Sequence, residues 1–262
     1  MDSPRTVRLT DAVRESSRHV TLVFEDAECA GYAPGQFVMV WVPGVDEIPM
    51  ALWGGAKGRL KILVEAKGDC STALAKKKAG DLIGIRGPYG QPFTVRGKRI
   101  LVVVGGTGTS PLVPFCERAK VAASIDVVIG GRSKELVLLR KAYEAAGAKV
   151  HVSTDDGSDG FHGRAPDLAK NLMDATRYDD VLTCGPERMM RAVVDECDRR
   201  RLPCQASLER WMKCAVGICD ACLVDGVRLC RDGPVLPREV LVRLEDFGRF
   251  EREPSGVRKA LH

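Results

Sequence analysis

Three hydrophobic patterns follow one another along the chain. Up to residue 96 the apolar positions come in short runs, among them His19–Phe24, Gln36–Val42 and Arg59–Val64, divided by Gly and Pro turns at Ala33-Pro34-Gly35, Val42-Pro43-Gly44 and Gly87-Pro88-Tyr89-Gly90. Short runs of β-branched and aromatic residues between such turns predict strands. One helical stretch near Ser71–Ala79 interrupts them. Several strands with a single helix predict a small antiparallel β-barrel. From Arg99 the pattern changes. Ile100–Val104 is a continuous apolar run, as expected of a strand covered on both faces. Helix-like Pro111–Ala123, apolar Ile125–Ile129, helical Glu135–Gly147, Lys149–Val152, helical Asp167–Met173, Asp180–Thr183 and helical Glu187–Arg200 follow in turn. This alternation predicts a parallel sheet with helices on both faces. The third stretch is cysteine-rich and ends in a charged tail from about Glu239. The predicted architecture is therefore β followed by α/β: an antiparallel barrel over 1–97, a parallel-sheet domain over 98–204, and a small cysteine-rich domain with its tail over 205–262.

Composition narrows the class without changing this picture. The 262 residues are 45% hydrophobic and 29% charged, ordinary globular values that exclude disorder, collagen and coiled coil. A net charge of +5, spread along the chain, gives no footprint for nucleic acid. No apolar run approaches the roughly 20 residues of a membrane helix. The start, Met1-Asp2-Ser3-Pro4-Arg5, lacks the layout of a signal peptide. The expectation is a cytoplasmic protein, away from the membrane. Ten cysteines then need a purpose, because a reducing compartment does not keep them as disulfides.

Cys29, Cys70, Cys116, Cys184, Cys197 and Cys204 are scattered and read as small buried hydrophobes. Cys214, Cys219, Cys222 and Cys230 instead stand together in SLERWMKCAVGICDACLVDGVRLCRDG, spaced x4, x2 and x7. That start, with a fourth Cys further on, is the plant-type 2Fe–2S spacing. Three thiolates must converge from one tight loop while the fourth arrives from a neighbouring strand. Ala215, Gly217 and Ala221 keep the loop small, and its backbone N–H groups can point at sulfur. A four-thiolate zinc site is the alternative, although structural zinc usually shows two short Cys pairs separated by a longer span.

Three loops have nucleotide character. Gly105-Gly106-Thr107-Gly108-Thr109-Ser110-Pro111 follows the first buried strand, its glycines permitting close backbone approach and its proline suiting the first position of a helix. Cys184-Gly185-Pro186-Glu187-Arg188-Met189-Met190 follows another strand and opens a helix, at the end of the sheet where ligands gather. Gly68-Asp69-Cys70-Ser71-Thr72 precedes the barrel's helix, where hydroxyls and free N–H groups can hold a pyrophosphate. Each also reads as a plain turn. Lys76-Lys77-Lys78 reads as a solvated helix end, and Thr154-Asp155-Asp156-Gly157-Ser158 as an Asp–Gly turn.

Barrel, GGTGTSP and CGPERMM loops, and a terminal cysteine loop in this order resemble the ferredoxin–NADP reductase superfamily. Within it the chain is similar to the electron-transfer subunits of heteromeric dihydroorotate dehydrogenases, most specifically in SLERWMKC, CRDGPVL, TDDGS-x-G-F-H-G and LEDFGRF. The resemblance covers nearly the whole chain. It implies FAD on the barrel, NAD on the α/β domain and a 2Fe–2S cluster on Cys214, Cys219, Cys222 and Cys230. Gly68, Ser71 and Thr72 match the flavin pyrophosphate loop. Gly106, Thr107, Gly108, Cys184, Gly185 and Pro186 match the nicotinamide-side loops. The superfamily's Arg-x-Tyr-Ser flavin motif is replaced by Ile48-Pro49-Met50-Ala51-Leu52-Trp53, so flavin contacts there fall to the backbone of Pro49, Met50, Ala51 and Leu52. Trp53 reads as a ring shield or a core aromatic.

The implied partner is a catalytic FMN subunit oxidising dihydroorotate in pyrimidine biosynthesis, in a heterotetramer. Electrons leave it singly through the cluster, and FAD passes them as a hydride to NAD. Hydride transfer needs no acid or base from the chain, so no catalytic side chain is assigned. Arg132-Ser133 leaves NAD and NADP both open by the residues. Two rivals stand beside this reading: a diaphorase-type subunit serving a hydrogenase, sulfur reductase or ferredoxin, and a non-catalytic metal-binding module that has lost flavin.

Overall fold

The computed structural model describes residues 3–55, 58–253 and 257–261. Its first sheet is built from β1 (Arg5–Arg14), β2 (His19–Glu25), β3 (Phe37–Val42), β4 (Asp46–Ala51), β5 (Trp53–Gly54), β6 (Arg59–Glu65) and β7 (Leu82–Tyr89), with α1 (Asp69–Ala75) before the last. These strands are antiparallel, in the order β4-β3-β7-β1-β2-β6-β5. The two edges of that order, β4 and β5, are separated in the chain by Leu52 alone. The backbone therefore passes directly from one edge strand to the other, curling the sheet towards a barrel with β4 and β5 at its seam. Leu52 is fully buried, and its amide donates to the Gln36 carbonyl at 3.2 Å.

The second sheet contains β8 (Arg99–Gly105), β9 (Ser124–Gly131), β10 (Lys149–Thr154), β11 (Phe161–His162), β12 (Asp180–Cys184), β13 (Cys204–Ser207) and, after the short strands β14 (Leu223–Val224) and β15 (Val227–Arg228), β16 (Val235–Pro237). Its order is β11-β10-β9-β8-β12-β13-β16, parallel except for the last pair. Ile100–Val104 is wholly buried, as a strand covered on both faces must be. The covering helices are α2 (Val113–Ala119), α3 (Arg140–Ala145), α4 (Ala165–Ala175) and α5 (Glu187–Arg199). The helix expected from Pro111 begins instead at Val113, because residues Gly106–Thr109 first wind as a 3-10 turn. Beyond β13 the chain leaves the sheet for the cysteine segment and re-enters it at β16, so strands of this sheet lie on both sides of that segment. α6 (Leu229–Asp232) precedes β16, α7 (Arg238–Leu241) opens the charged tail, and within that tail β17 (Phe250–Arg252) pairs antiparallel with β18 (Arg258–Ala260). Among the described residues no helix is long and apolar enough to cross a membrane.

Shared cores join the parts. Phe37 and Met39 of the barrel pack with Leu101 and Val103 of the α/β sheet and with Met212 and Leu236 of the C-terminal part. Trp53, Leu63 and Phe93 pack with Val102, Phe115 and Val235. Trp53 is thus a core aromatic. A buried polar stitch crosses the same boundary. Gln205 Nε2 donates to Thr94 O at 2.9 Å and Asp180 Oδ2 at 2.7 Å, while its Oε1 accepts from the amide and hydroxyl of Thr94.

Burial pushes Asp180 up to about 6, against the hydrogen bond from Gln205. An acid whose folded pKa lies above its unfolded value holds its proton more tightly when folded. Its contribution is complete below about pH 4 and is lost as pH rises through about 6. The variant Asp180→Asn is expected to flatten the fall of Tm between these values, read by thermal melts at a series of pH; a slope equal to the parent's would show that Asp180 does not carry it.

Candidate functional site: a four-cysteine loop at the edge of a two-loop cleft

The cysteine loop owes its shape to left-handed residues and one hairpin. Ala215 (φ 61°), Gly217 (φ 79°) and Asp220 (φ 56°) turn the backbone repeatedly between Cys214 and Cys222. β14 and β15 are joined by Asp225-Gly226, both at positive φ, the two-residue turn that Asp–Gly favours. That hairpin begins immediately after Cys222 and ends just before α6, which carries Cys230. The x7 spacing is therefore one hairpin that lays Cys230 beside Cys222, and the fourth cysteine arrives on a helical turn rather than on a strand. Cys222 and Cys230 are buried, Cys214 is half-buried and Cys219 is exposed.

Backbone amides point at the sulfurs, as the loop's composition led us to expect. Gly217 N–H donates to Cys230 Sγ at 3.2 Å, Ile218 N–H to Cys214 Sγ at 3.4 Å and Cys230 N–H to Cys222 Sγ at 3.4 Å. Cys222 thereby lies beside Cys230, and Cys230 beside the Gly217 turn of the loop. Among the described residues no three metal-ligating side chains gather around a single point. For Cys214, desolvation raises the pKa, but donors from Ile218, Cys219 and Val216 outweigh it and bring the thiol down to about 6. Burial, then Cys222, pushes Cys230 up to about 12. The cysteine spacing and these amide donors suit an iron–sulfur cluster.

The loop is clamped from the barrel. Arg86 on β7 bonds both carboxylate oxygens of Glu47, at 2.7 and 2.6 Å, and donates to the carbonyls of Lys213 and Cys214 at 3.1 and 3.3 Å. Gln91 holds the other end, its Nε2 bonding the Arg231 carbonyl at 3.2 Å. On the outside, Val216 and Ile218 are exposed, the latter by 79%. Met212 is buried.

The two Gly-rich loops meet at the carboxyl ends of β8 and β12. A Cβ on Gly108 would lie 2.5 Å from the Cys184 carbonyl carbon and the Gly185 nitrogen, so this glycine lets the loops touch backbone to backbone. Gly106, at φ 56°, faces open space. Fully buried Tyr143 supports the first loop from below, its hydroxyl donating to the Thr109 carbonyl at 2.5 Å. Thr183 Oγ1 and Trp211 Nε1 are buried there without a hydrogen-bond partner. The TDDGS turn folds against Gly131-Arg132, with Asp155 N–H donating to Gly131 O at 3.0 Å and Asp156 N–H to Arg132 O at 3.2 Å.

On the barrel side, Pro49, Met50 and Ala51 lie half-buried on edge strand β4. Ser71 Oγ is engaged within its own turn, accepting from the amides of Lys67 and Gly68. Thr72 N–H donates to the Gly68 carbonyl at 2.8 Å. Ser71 thus shapes its own turn.

Sequence reasoning missed Glu209. It follows β13 and is exposed; among the described residues its carboxylate makes no hydrogen bond or ion pair, while its carbonyl accepts from Arg210 at 2.8 Å. Desolvation by the surrounding protein raises its carboxyl above the ordinary range, opposed by Lys67 of the barrel and by Arg210. Its neighbour Arg210 is buried against Glu187 and donates to the Phe250 carbonyl at 3.2 Å, tying the CGP helix to the terminal hairpin. Gly106 thus faces open space at the carboxyl end of β8, while Thr183, with its unpartnered hydroxyl, and Glu209 lie at or just beyond the carboxyl ends of β12 and β13.

Comparison with known proteins agrees with this geometry. The iron–sulfur cluster binding domain of dihydroorotate dehydrogenase B matches residues 209–242. The chain is 36% identical to the probable dihydroorotate dehydrogenase B (NAD(+)), electron transfer subunit of Methanocaldococcus jannaschii, over 98% of each chain. It is 42% identical to the protein of that name from Methanocella arvoryzae, over 87% of this chain and 88% of the other. Among solved structures, a chain of an NADH-dependent reduced ferredoxin–NADP oxidoreductase superposes with a TM-score of 0.82 at 26% identity, covering 91% of this chain and 90% of that one. The ferredoxin NADP+ reductase of Neisseria gonorrhoeae shares the fold at 15% identity, with a TM-score of 0.65 over 75% of this chain and 91% of that one.

Stripped of metal and kept reduced, the protein is expected to alkylate Cys214 with a midpoint near pH 6 while Cys230 stays unreactive at neutral pH. Mass spectrometry after pulsed iodoacetamide reads both sites, and equal rates would contradict the amide arrangement. Gly217→Ala puts a side chain at φ 79°, 2.9 Å from Arg231 Cδ, and is expected to lower Tm and loosen the protection of Cys230 in the same assay.

Proposed function

This chain belongs to the family of dihydroorotate dehydrogenase B electron transfer subunits, and we propose that it passes electrons from a dihydroorotate-oxidising partner through a 2Fe–2S cluster and FAD to NAD. The observation that carries the reading is the loop of Cys214, Cys219, Cys222 and Cys230, which has the x4, x2 start of plant-type 2Fe–2S sites and turns the N–H groups of Gly217, Ile218 and Cys230 onto its sulfurs. A 2Fe–2S cluster takes two thiolates on each iron, whereas structural zinc draws four to one centre. Bound together, cluster and flavin supply the conversion between single electrons and the hydride of a nicotinamide.

The chain's residues provide the setting. Cys214, Cys219, Cys222 and Cys230 ligate iron, and the amides of Gly217, Ile218 and Cys230 stabilise sulfur charge. Pro49, Met50, Ala51 and Leu52 border the flavin, of which Leu52 acts from behind the strand. Gly68, Ser71 and Thr72 form the turn for its pyrophosphate. Gly106 and Thr107 meet the nicotinamide nucleotide, while Gly108, Cys184, Gly185 and Pro186 hold the two loops in contact. Exposed Val216, Ile218 and Cys219 form the face presented to the catalytic FMN subunit, in an assembly of two copies of each chain. The ten cysteines stand unbridged, which suits a reducing cytoplasm.

Anaerobic co-purification with that partner is expected to give dihydroorotate-dependent NAD reduction, with iron, acid-labile sulfide and FAD found by quantitation. The likeness to a ferredoxin-linked oxidoreductase supports a second reading, in which activity appears with reduced ferredoxin and not with dihydroorotate. Cys219→Ser is expected to abolish electron exchange with the partner while NADH still reduces the flavin. An intact partner-coupled rate would remove the cluster from the route. Gly108→Val is expected to raise KM for NADH by about tenfold or more, ~1.4 kcal/mol of binding, because it forces the two loops apart.

A further inference from the structure

Arg86 reaches from Glu47 of β4 to the backbone of the cysteine loop. Its guanidinium makes two short bonds to Glu47, at 2.7 and 2.6 Å, and its remaining donors meet the carbonyls of Lys213 and Cys214 and, at 3.4 Å, the hydroxyl of Tyr89. The side chains of Arg86 and Glu47 are 15% and 21% exposed, so their charges act in a medium less polarisable than water. Glu47 shares β4 with Pro49, Met50 and Ala51. A planar fork with five fixed donors is suited to hold two strands' worth of acceptors at once, and a lysine is not.

We propose that Arg86 is a positioning residue that fixes the cysteine loop against the flavin-bordering strand and sets the reduction potential of the cluster. The inference rests on the reading given under Proposed function. A cluster that accepts an electron gains negative charge, so a cation against the Cys214 carbonyl favours the reduced form. Glu47 lies on the far side of the guanidinium and offsets part of that field. The two side chains therefore act on the potential with opposite signs, as net charge near an iron–sulfur centre does.

The test uses the complete complex, purified without oxygen, in three forms: Arg86→Gln, Arg86→Lys and Glu47→Gln. Redox titration followed by electron paramagnetic resonance gives the midpoint of the cluster in each. Arg86→Gln is expected to shift it to more negative potential, Glu47→Gln to more positive potential, and Arg86→Lys to stay nearer the parent than Arg86→Gln does. A role confined to folding moves the two Gln variants in one direction or not at all, and either result overturns the inference. Should Arg86→Gln fail to keep its iron, Glu47→Gln decides alone: a positive shift supports the proposal, and an unchanged or negative one overturns it. A parent complex with no reducible 2Fe–2S signal would instead refute the functional reading itself, which separates the two failures.

Discussion

The four-cysteine loop buries only a few small residues, such as Ala215, Cys222 and Cys230, while its stretch from Val216 to Asp220 is largely exposed, so packing alone does not keep it in place. Here the constraint is the return of the chain into the α/β sheet: β13 leads out to the cysteines and β16 leads back, antiparallel, with Gln205 opposite Pro237 and Ser207 opposite Val235. Both ends of the loop are thereby anchored to one sheet edge. Arg86 and Gln91 then fasten its flank to the barrel. The rest of the arrangement depends on this. Were either end free, the amides that point at sulfur would be free as well, and fixed orientation is what makes them useful.

The same economy governs the cleft. The first glycine loop is followed by a 3-10 turn and the short α2, and the second opens directly into the longer α5, but the loops are also held by their own contacts. They lean on each other at Gly108 and Cys184, and on Tyr143 beneath. Glu209 is placed by its position one residue beyond Leu208, at the carboxyl end of β13, where the chain has just left the sheet. The terminal hairpin contributes from outside by bonding Arg210 through the Phe250 carbonyl. Residues far apart in the chain therefore converge because the parallel sheet delivers several strand ends to one side.

Much of this was legible in the sequence, for a physical reason in each case. Periodicity separates barrel from α/β sheet because burial on one face or two leaves different apolar spacing. The cysteine spacing points to its chemistry because reach is a local property. The misses are equally instructive. Pro111 looked like a helix start, but a 3-10 turn came first, and local preference does not distinguish the two. The tail read as charged and loose because its partners are remote: Asp246 meets Arg258 and Arg252 across the hairpin, and Arg258 lies 3.8 Å from the Phe250 ring centre. Arg86 and Glu209 carried no motif at all. Their roles come from tertiary neighbours more than 100 residues away for the first, and from a crowded yet open position for the second.

The hairpin between Cys222 and Cys230 has a consequence for how this segment can vary in length. Its arms pair Leu223 with Arg228 and Val224 with Val227, so a residue added to one arm alone would break that register and shift α6, with its Cys230, away from Cys222. Lengthening both arms together keeps the strands paired. Insertion between these two positions is thus restricted by the ribbon, and insertion between Val216 and Ile218 by the amides that reach Cys214 and Cys230.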